Sequence, residues 1–321
     1  MTRTVHTVRG EVDVDALGTV LMHEHVFVLS EELRLNYPEY WDEDERVADA
    51  VDKLRALKER GVDTIVDPTV LGLGRDLARV RRVNDQVDIN IVAATGLYTY
   101  GDLPFFLHHQ GPGTTFGGDE PMVEMFTRDI EEGIADTCVR AAFLKCAIQD
   151  ELTPGVERVM RAVAQTHLRT GAPITVHTNP HCGNGLIAQR VLREEGVDLR
   201  QVVVGHSGDS SDLDHLVALM EAGSFIGMDR FGLDLLLPFE ERVDTVAELC
   251  RRGYVDQLVL AQDASCYIDW FPVEAKEAAA PNWHFTHVHD DVLPALRERG
   301  VTEAQITTML QSNPRRYFTR P

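Results

Sequence analysis

The chain has 321 residues, 31 Lys plus Arg against 52 Asp plus Glu, and a formal net charge of −21. That charge makes nucleic-acid backbones and anionic membrane surfaces poor partners, while 44% hydrophobic residues supply a sizeable core and exclude an intrinsically disordered chain. Cys138, Cys146, Cys182, Cys250 and Cys266 form no C-x-x-C pair, which argues against a disulfide framework or a thiolate zinc site. The N-terminus has no signal-peptide core and no apolar run is long enough to span a bilayer, so a cytoplasmic address is expected.

Eight apolar runs of strand length are predicted, over 20–28, 63–67, 89–95, 141–147, 173–177, 201–206, 224–229 and 257–263. Helical patterning fills the spaces between them, for example over 48–59, 155–170, 185–195, 212–222 and 239–251. Gly61, Gly196 and Gly300 each follow a charged last turn and mark helix stops. Strand and helix in alternation imply a parallel sheet, and eight units favour a closed (β/α)8 TIM barrel over an open sheet. No linker divides the chain, so one α/β barrel over 1–321 is expected. Two long connections, 98–127 and 264–283, break the rhythm on the face where barrels build their active sites, and are read as functional lids or interfaces.

Metal-competent residues sit within or at the ends of these strands. In Leu21-Met22-His23-Glu24-His25 the two histidines share one face of a strand and Glu24 points to the other, toward a buried partner in the helix layer. A lone strand histidine is more often a satisfied core residue than a ligand. Lys145 interrupts the run Ala141-Ala142-Phe143-Leu144-Lys145-Cys146-Ala147, where an unpaired ammonium is costly. Either that strand lies at an edge, or carbon dioxide has added to the amine to give a carbamate able to bridge two metal ions. His177, His206 and Asp263 each end an apolar strand. Alone, each reads as a cap or turn residue; six such residues at one rim are hard to explain that way. Four imidazoles, a carboxylate and a carbamate suit two divalent ions, zinc first, with cobalt, iron or manganese as alternatives. Such a pair would hold a shared hydroxide for hydrolysis, with Asp263 as general base.

These residues resemble the binuclear-metal amidohydrolase superfamily. More narrowly, Leu21-Met22-His23-Glu24-His25-Val26-Phe27, Ala94-Thr95-Gly96-Leu97-Tyr98, Gly205-His206-Ser207-Gly208-Asp209, Gly227-Met228-Asp229-Arg230-Phe231-Gly232 and Ser312-Asn313-Pro314-Arg315-Arg316 are similar to phosphotriesterase-like lactonases. The resemblance implies hydrolysis of lactones, N-acyl-homoserine lactones of quorum sensing above all, with side activity on phosphotriesters, and it implies a homodimer. It assigns His23, His25 and Asp263 to one metal, His177 and His206 to the other, and carboxylated Lys145 to both. Tyr98 and Arg230 would orient the lactone, with an aromatic lid and a strand-end ion pair to Asp229 or another acid as their plainer readings. Cys266, Tyr267, Trp270 and Phe271 would cover the acyl chain, though some could simply anchor the loop. Gln262 stands where the family often has histidine, a difference outside the ligand set. His108, His109, His181, His284, His287 and His289 are read as non-ligands. The rivals are the same machinery tuned to γ- or δ-alkyl lactones or other esters, and a non-catalytic barrel that binds a ligand at its mouth.

Overall fold

The computed structural model describes residues 4–319. A hairpin of β1 (Thr4–Thr7) and β2 (Gly10–Asp13), which the periodicity does not signal, comes first. The staves follow: β3 (Val20–Leu21) and β4 (His25–Val28), β5 (Thr64–Asp67), β6 (Asn90–Gly96), β7 (Phe143–Ile148), β8 (Ile174–Thr178), β9 (Val202–Gly205), β10 (Phe225–Met228) and β11 (Leu258–Leu260). A further strand, β12 (Ser265–Ile268), lies in the expected lid. Among the described residues the sheet runs β11-β10-β9-β8-β7-β6-β5-β3, all parallel, with helices between consecutive strands. This is the (β/α)8 barrel read from the strand count. None of the described helices is long and apolar enough to cross a membrane.

The first stave departs from expectation. The run 20–28 is two strands, with β3 paired to β5 and β4 paired to β12. Backbone N–H groups of Met22, His25 and Asp263 donate to the carbonyls of Leu260 (3.1 Å), Ala264 (2.8 Å) and His23 (3.0 Å), which joins the first stave to the last and closes the ring. Glu24 anchors this seam. Its carboxylate accepts from the N–H groups of Gln262 (2.7 Å) and Ala264 (2.9 Å) and from the Gln262 amide (3.0 Å). Gln262 in turn donates to the Phe285 carbonyl and accepts from Val288 N–H, so Glu24 reaches the helix layer through Gln262.

Fully buried β-branched runs suit strands covered on both faces. One apolar cluster packs the helices on the outside of the sheet. A second, with Val20, Val66, Val92, Phe143, Val203, Phe225 and Val259, fills the barrel from below. Tyr317 plugs it, its hydroxyl bonded to that of Thr175 (2.9 Å). Along each inward ladder the next positions up turn polar: Phe143 leads to Lys145, Thr175 to His177, Phe225 through Gly227 to Asp229, and Val259 through Ala261 to Asp263. Helices start on side-chain caps at Asp42, Thr153 and Asp212. Gly61, Gly196 and Gly300 adopt the positive φ expected of helix stops.

Candidate metal and active site

A cavity of about 570 Å3 opens at the C-terminal ends of the staves. His23, His25, Lys145, His177, His206 and Asp263 all line it, with Tyr98 and Arg230. The ligand atoms of His23, His25 and Asp263 lie within 4.8 Å of one another. His206 and Asp263 both follow a strand end and take positive φ, 62° and 53°. Such backbone is uncommon for non-glycine residues and is concentrated where a site demands it.

The hydrogen bonds behind the imidazoles decide which nitrogens face the cavity. Thr69 Oγ1 donates to Asp67 (2.5 Å), so it can only accept from His25 Nδ1 (2.7 Å), which leaves His25 Nε2 to face Asp263 Oδ1 (3.3 Å). Asp229 accepts from His23 Nδ1 through Oδ2 (3.2 Å) and from His206 Nδ1 through Oδ1 (3.0 Å). Gln149 Oε1 accepts from His177 Nε2 (2.6 Å), which turns Nδ1 inward toward the Tyr98 hydroxyl (3.3 Å). All four rings are therefore gripped from behind; the free Nε2 atoms of His23 and His25 meet Asp263 (3.5 and 3.3 Å), His23 Nε2 also meets Lys145 (3.4 Å), and the rings of His177 and His206 pack on each other at 4.4 Å in the same cavity. A ring nitrogen and a carboxylate that face each other this closely need a proton or a metal cation between them. The residues present therefore fit divalent ions.

Burial dominates the electrostatics. It lowers His23 to about 3, helped by the Lys145 charge, and holds His177 and His206 below the ordinary histidine range. His25 moves up instead, because bonds to Asp263 and Asp67 outweigh burial. Asp263 and Asp229 stay well below the usual carboxylate range: burial would raise them, but the imidazoles, and Arg230 in the case of Asp263, prevail. Burial takes Lys145 down to about 8. Its Nζ stands 3.4 Å from His23 Nε2 and forms no ion pair among the described residues. The neutral amine, the form able to attack carbon dioxide, is thus accessible near neutral pH.

Arg230 is ion-paired, with acids other than its neighbour Asp229. Its guanidinium donates to Asp263 Oδ2 (2.9 Å) and Asp209 Oδ2 (3.1 Å), and Asp209 is held from behind by buried Arg242 (2.8 Å). Tyr98 bonds Tyr100 hydroxyl to hydroxyl (2.5 Å), and burial beside Tyr100 keeps it a phenol. Trp270 and Phe271 line the cavity as expected of a lid. Cys266 and Tyr267 do not. β12 turns them to the helix layer, where the Cys266 thiol faces the Ala50 carbonyl and Tyr267 packs on Trp41 and Arg46. The sequence reading missed Asp229 as a holder of two rings, and also Asp67, Thr69, Gln149 and Tyr100. For Asp229 a signal existed, since it too is an acid ending an apolar strand. His108, His109, His181, His284, His287 and His289 lie off the cavity; His284 and His287 gather with Asp291 elsewhere.

The sequence pattern of the phosphotriesterase family matches residues 3–318. The chain belongs to the phosphotriesterase family. It is 56% identical over 318 residues to the phosphotriesterase homology protein of Mycobacterium tuberculosis, with 98% of each chain covered. To the aryldialkylphosphatase of Saccharolobus solfataricus it is 39% identical over 314 residues, covering 97% of this chain and 98% of that protein. A solved structure of the phosphotriesterase from Mycobacterium tuberculosis superposes with a TM-score of 0.97 at 56% identity, covering 99% of this chain and 98% of that one. Membership makes the chain a hydrolase acting on ester bonds.

Two glycines make room for the carboxylate that holds two rings. A Cβ on Gly227 would fall 2.2 Å from Asp229 Oδ2, and one on Gly205 would lie 3.4 Å from the same atom. Gly227→Ala is therefore expected to displace Asp229 and to weaken divalent-metal binding about 10–100-fold, the usual cost of losing a partner behind a ligand. Metal titration of the folded variant checks this, and unchanged affinity would refute it.

Proposed function

We propose that this phosphotriesterase-family hydrolase is a lactonase that opens N-acyl-homoserine lactones at a pair of divalent ions. His23, His25 and Asp263 would hold one ion and His177 and His206 the other, with carboxylated Lys145 shared between them. The observation that carries the reading is that four back-bonded imidazoles line one cavity with Asp263 and Lys145, two of them in contact with Asp263. Divalent ions there would polarise the scissile carbonyl and acidify a water molecule.

The chain's own residues do the remainder. Asp263 accepts the proton released by the attacking water and returns it to the leaving oxygen. Arg230, bonded to Asp263, keeps that carboxylate ionised and oriented. The Tyr98 hydroxyl donates toward the substrate from beside His177. Leu73, Leu233, Leu236, Ile268, Trp270 and Phe271 give the cavity an apolar wall that excludes water and suits one lipophilic tail.

A second reading, hydrolysis of phosphotriesters, is favoured by the likeness to a protein named aryldialkylphosphatase. Turnover of an acyl-homoserine lactone, an alkyl δ-lactone and a dialkyl aryl phosphate on one metal-loaded sample separates the two. The acyl-homoserine lactone is expected to have the highest kcat/KM, and a phosphotriester ahead of both lactones would reverse the assignment. Removing divalent ions with a chelator is expected to abolish all three activities and re-addition to restore them; activity that survives with no metal in the sample sinks the reading.

A further inference from the structure

Lys276 sits on the lid helix Val273–Ala279 and lines the cavity. Its ammonium stands 4.6 Å from the centre of the Trp283 ring. That indole is fixed in place, because its Nε1 donates to the carbonyls of Gln262 (2.9 Å) and Asp263 (3.1 Å). The lysine is therefore held one ring away from the backbone of the site aspartate.

The other cations of the cavity are engaged. Arg230 is bonded to Asp263 and Asp209, and Lys145 belongs to the proposed ligand set. Lys53, behind the lid, is bonded to Asp49 and to the Cys266 carbonyl, both at 2.7 Å. Among the described residues, nothing accepts a hydrogen bond from the Lys276 ammonium. The carboxylates of Glu277 and Asp49 act on the ammonium only through space, without a hydrogen bond from it, and Leu233, Leu235, Leu236, Ile268 and Phe271 line the same cavity. A half-buried ammonium resting on an aromatic face retains N–H donors that can be satisfied only by water or by a ligand.

We propose that Lys276 and the face of Trp283 form an anion subsite, so that the cavity takes lactones whose side chain carries a carboxylate. This rests on the lactonase reading above. A charge-assisted hydrogen bond is stronger than a neutral one, and a carboxylate-ended tail supplies the acceptor that the ammonium lacks. An alkyl tail leaves the ammonium unanswered.

Three γ-lactones of equal tail length test this: an alkyl tail, a tail ending in carboxylate, and the methyl ester of that carboxylate. On metal-loaded wild type the carboxylate tail is expected to have a KM about tenfold below that of its methyl ester, one charged hydrogen bond's worth. Lys276→Met is expected to remove that preference, and Lys276→Arg to keep it. Two results overturn the subsite. One is equal preference in wild type and Lys276→Met. The other is an equal loss on all three lactones, which is what a lysine that merely staples the lid helix to Trp283 would give. If wild type hydrolyses none of the three, the lactonase reading has failed, and calorimetry with glutarate decides the subsite by itself. Binding at least tenfold weaker to Lys276→Met than to wild type then upholds the subsite, and equal binding overturns it.

Discussion

Lys145→Met is expected to lower lactone hydrolysis on the order of a thousandfold or more, beyond the 10–100-fold that follows loss of a partner behind a ligand. Bound metal should fall from two ions per chain to one or fewer. Lys145 is 1% exposed, lies 3.4 Å from His23 Nε2, and forms no ion pair among the described residues. A bare ammonium there is poorly compensated, whereas a carbamate between two cations is well placed. Methionine has a similar length and no charge, so the variant should fold, and with metal stripped from both proteins its thermal midpoint should not fall below that of the wild type. Elemental analysis and lactone turnover read the first two effects. Labelling with 13C-bicarbonate adds a third: the wild type should show a bound carbamate signal that Lys145→Met lacks. A variant that keeps both ions and its activity would leave the lysine as a buried structural residue.

Asp229→Asn is expected to cost one of the two metals. In the wild type each carboxylate oxygen holds a different ring, Oδ2 taking His23 Nδ1 and Oδ1 taking His206 Nδ1 together with the His206 backbone N–H (2.8 Å). An asparagine of the same shape has one accepting oxygen and one donating nitrogen. If the oxygen stays on His206, the NH2 group faces His23 Nδ1 and stabilises the tautomer whose proton sits on Nε2, the atom that faces Asp263. That imidazole can no longer bind a cation through Nε2. Metal titration should then show one tight site and a second weakened about 10–100-fold, with activity falling in step. Asp229 is 1% exposed, and isosteric replacement keeps the cavity filled, so the comparison reads tautomer control more than packing. Two undiminished sites in the variant would show that each ring is held well enough without it.

The barrel was legible because its evidence is local and repeated. Each of the eight runs is apolar along its length, as a strand covered on both faces must be, and helix stops at Gly61, Gly196 and Gly300 mark off the units. The polar residues that close those runs were legible for the same reason. A lysine in Phe143-Leu144-Lys145-Cys146, or a histidine after Ile174-Thr175-Val176, contradicts its surroundings, and such a contradiction points to chemistry. The broken first stave was not legible. An apolar run cannot show that its two halves pair with different neighbours, since that depends on how the last stave returns. Cys266 and Tyr267 went astray likewise, because nothing in the sequence said that residues 265–268 would form a strand whose middle faces outward.

By itself the sequence determined the eightfold alternation and the residues that reach the mouth, since the period of a strand and the order of polar and apolar positions along it are properties of adjacent residues. Only the tertiary structure decided which nitrogen of each imidazole faces inward, that one carboxylate grips His23 and His206 together, and that Arg230 leans on Asp263 and Asp209 instead of its neighbour. Those choices rest on hydrogen bonds between side chains far apart in the chain, and their partners meet only once the ring has closed and its register is set.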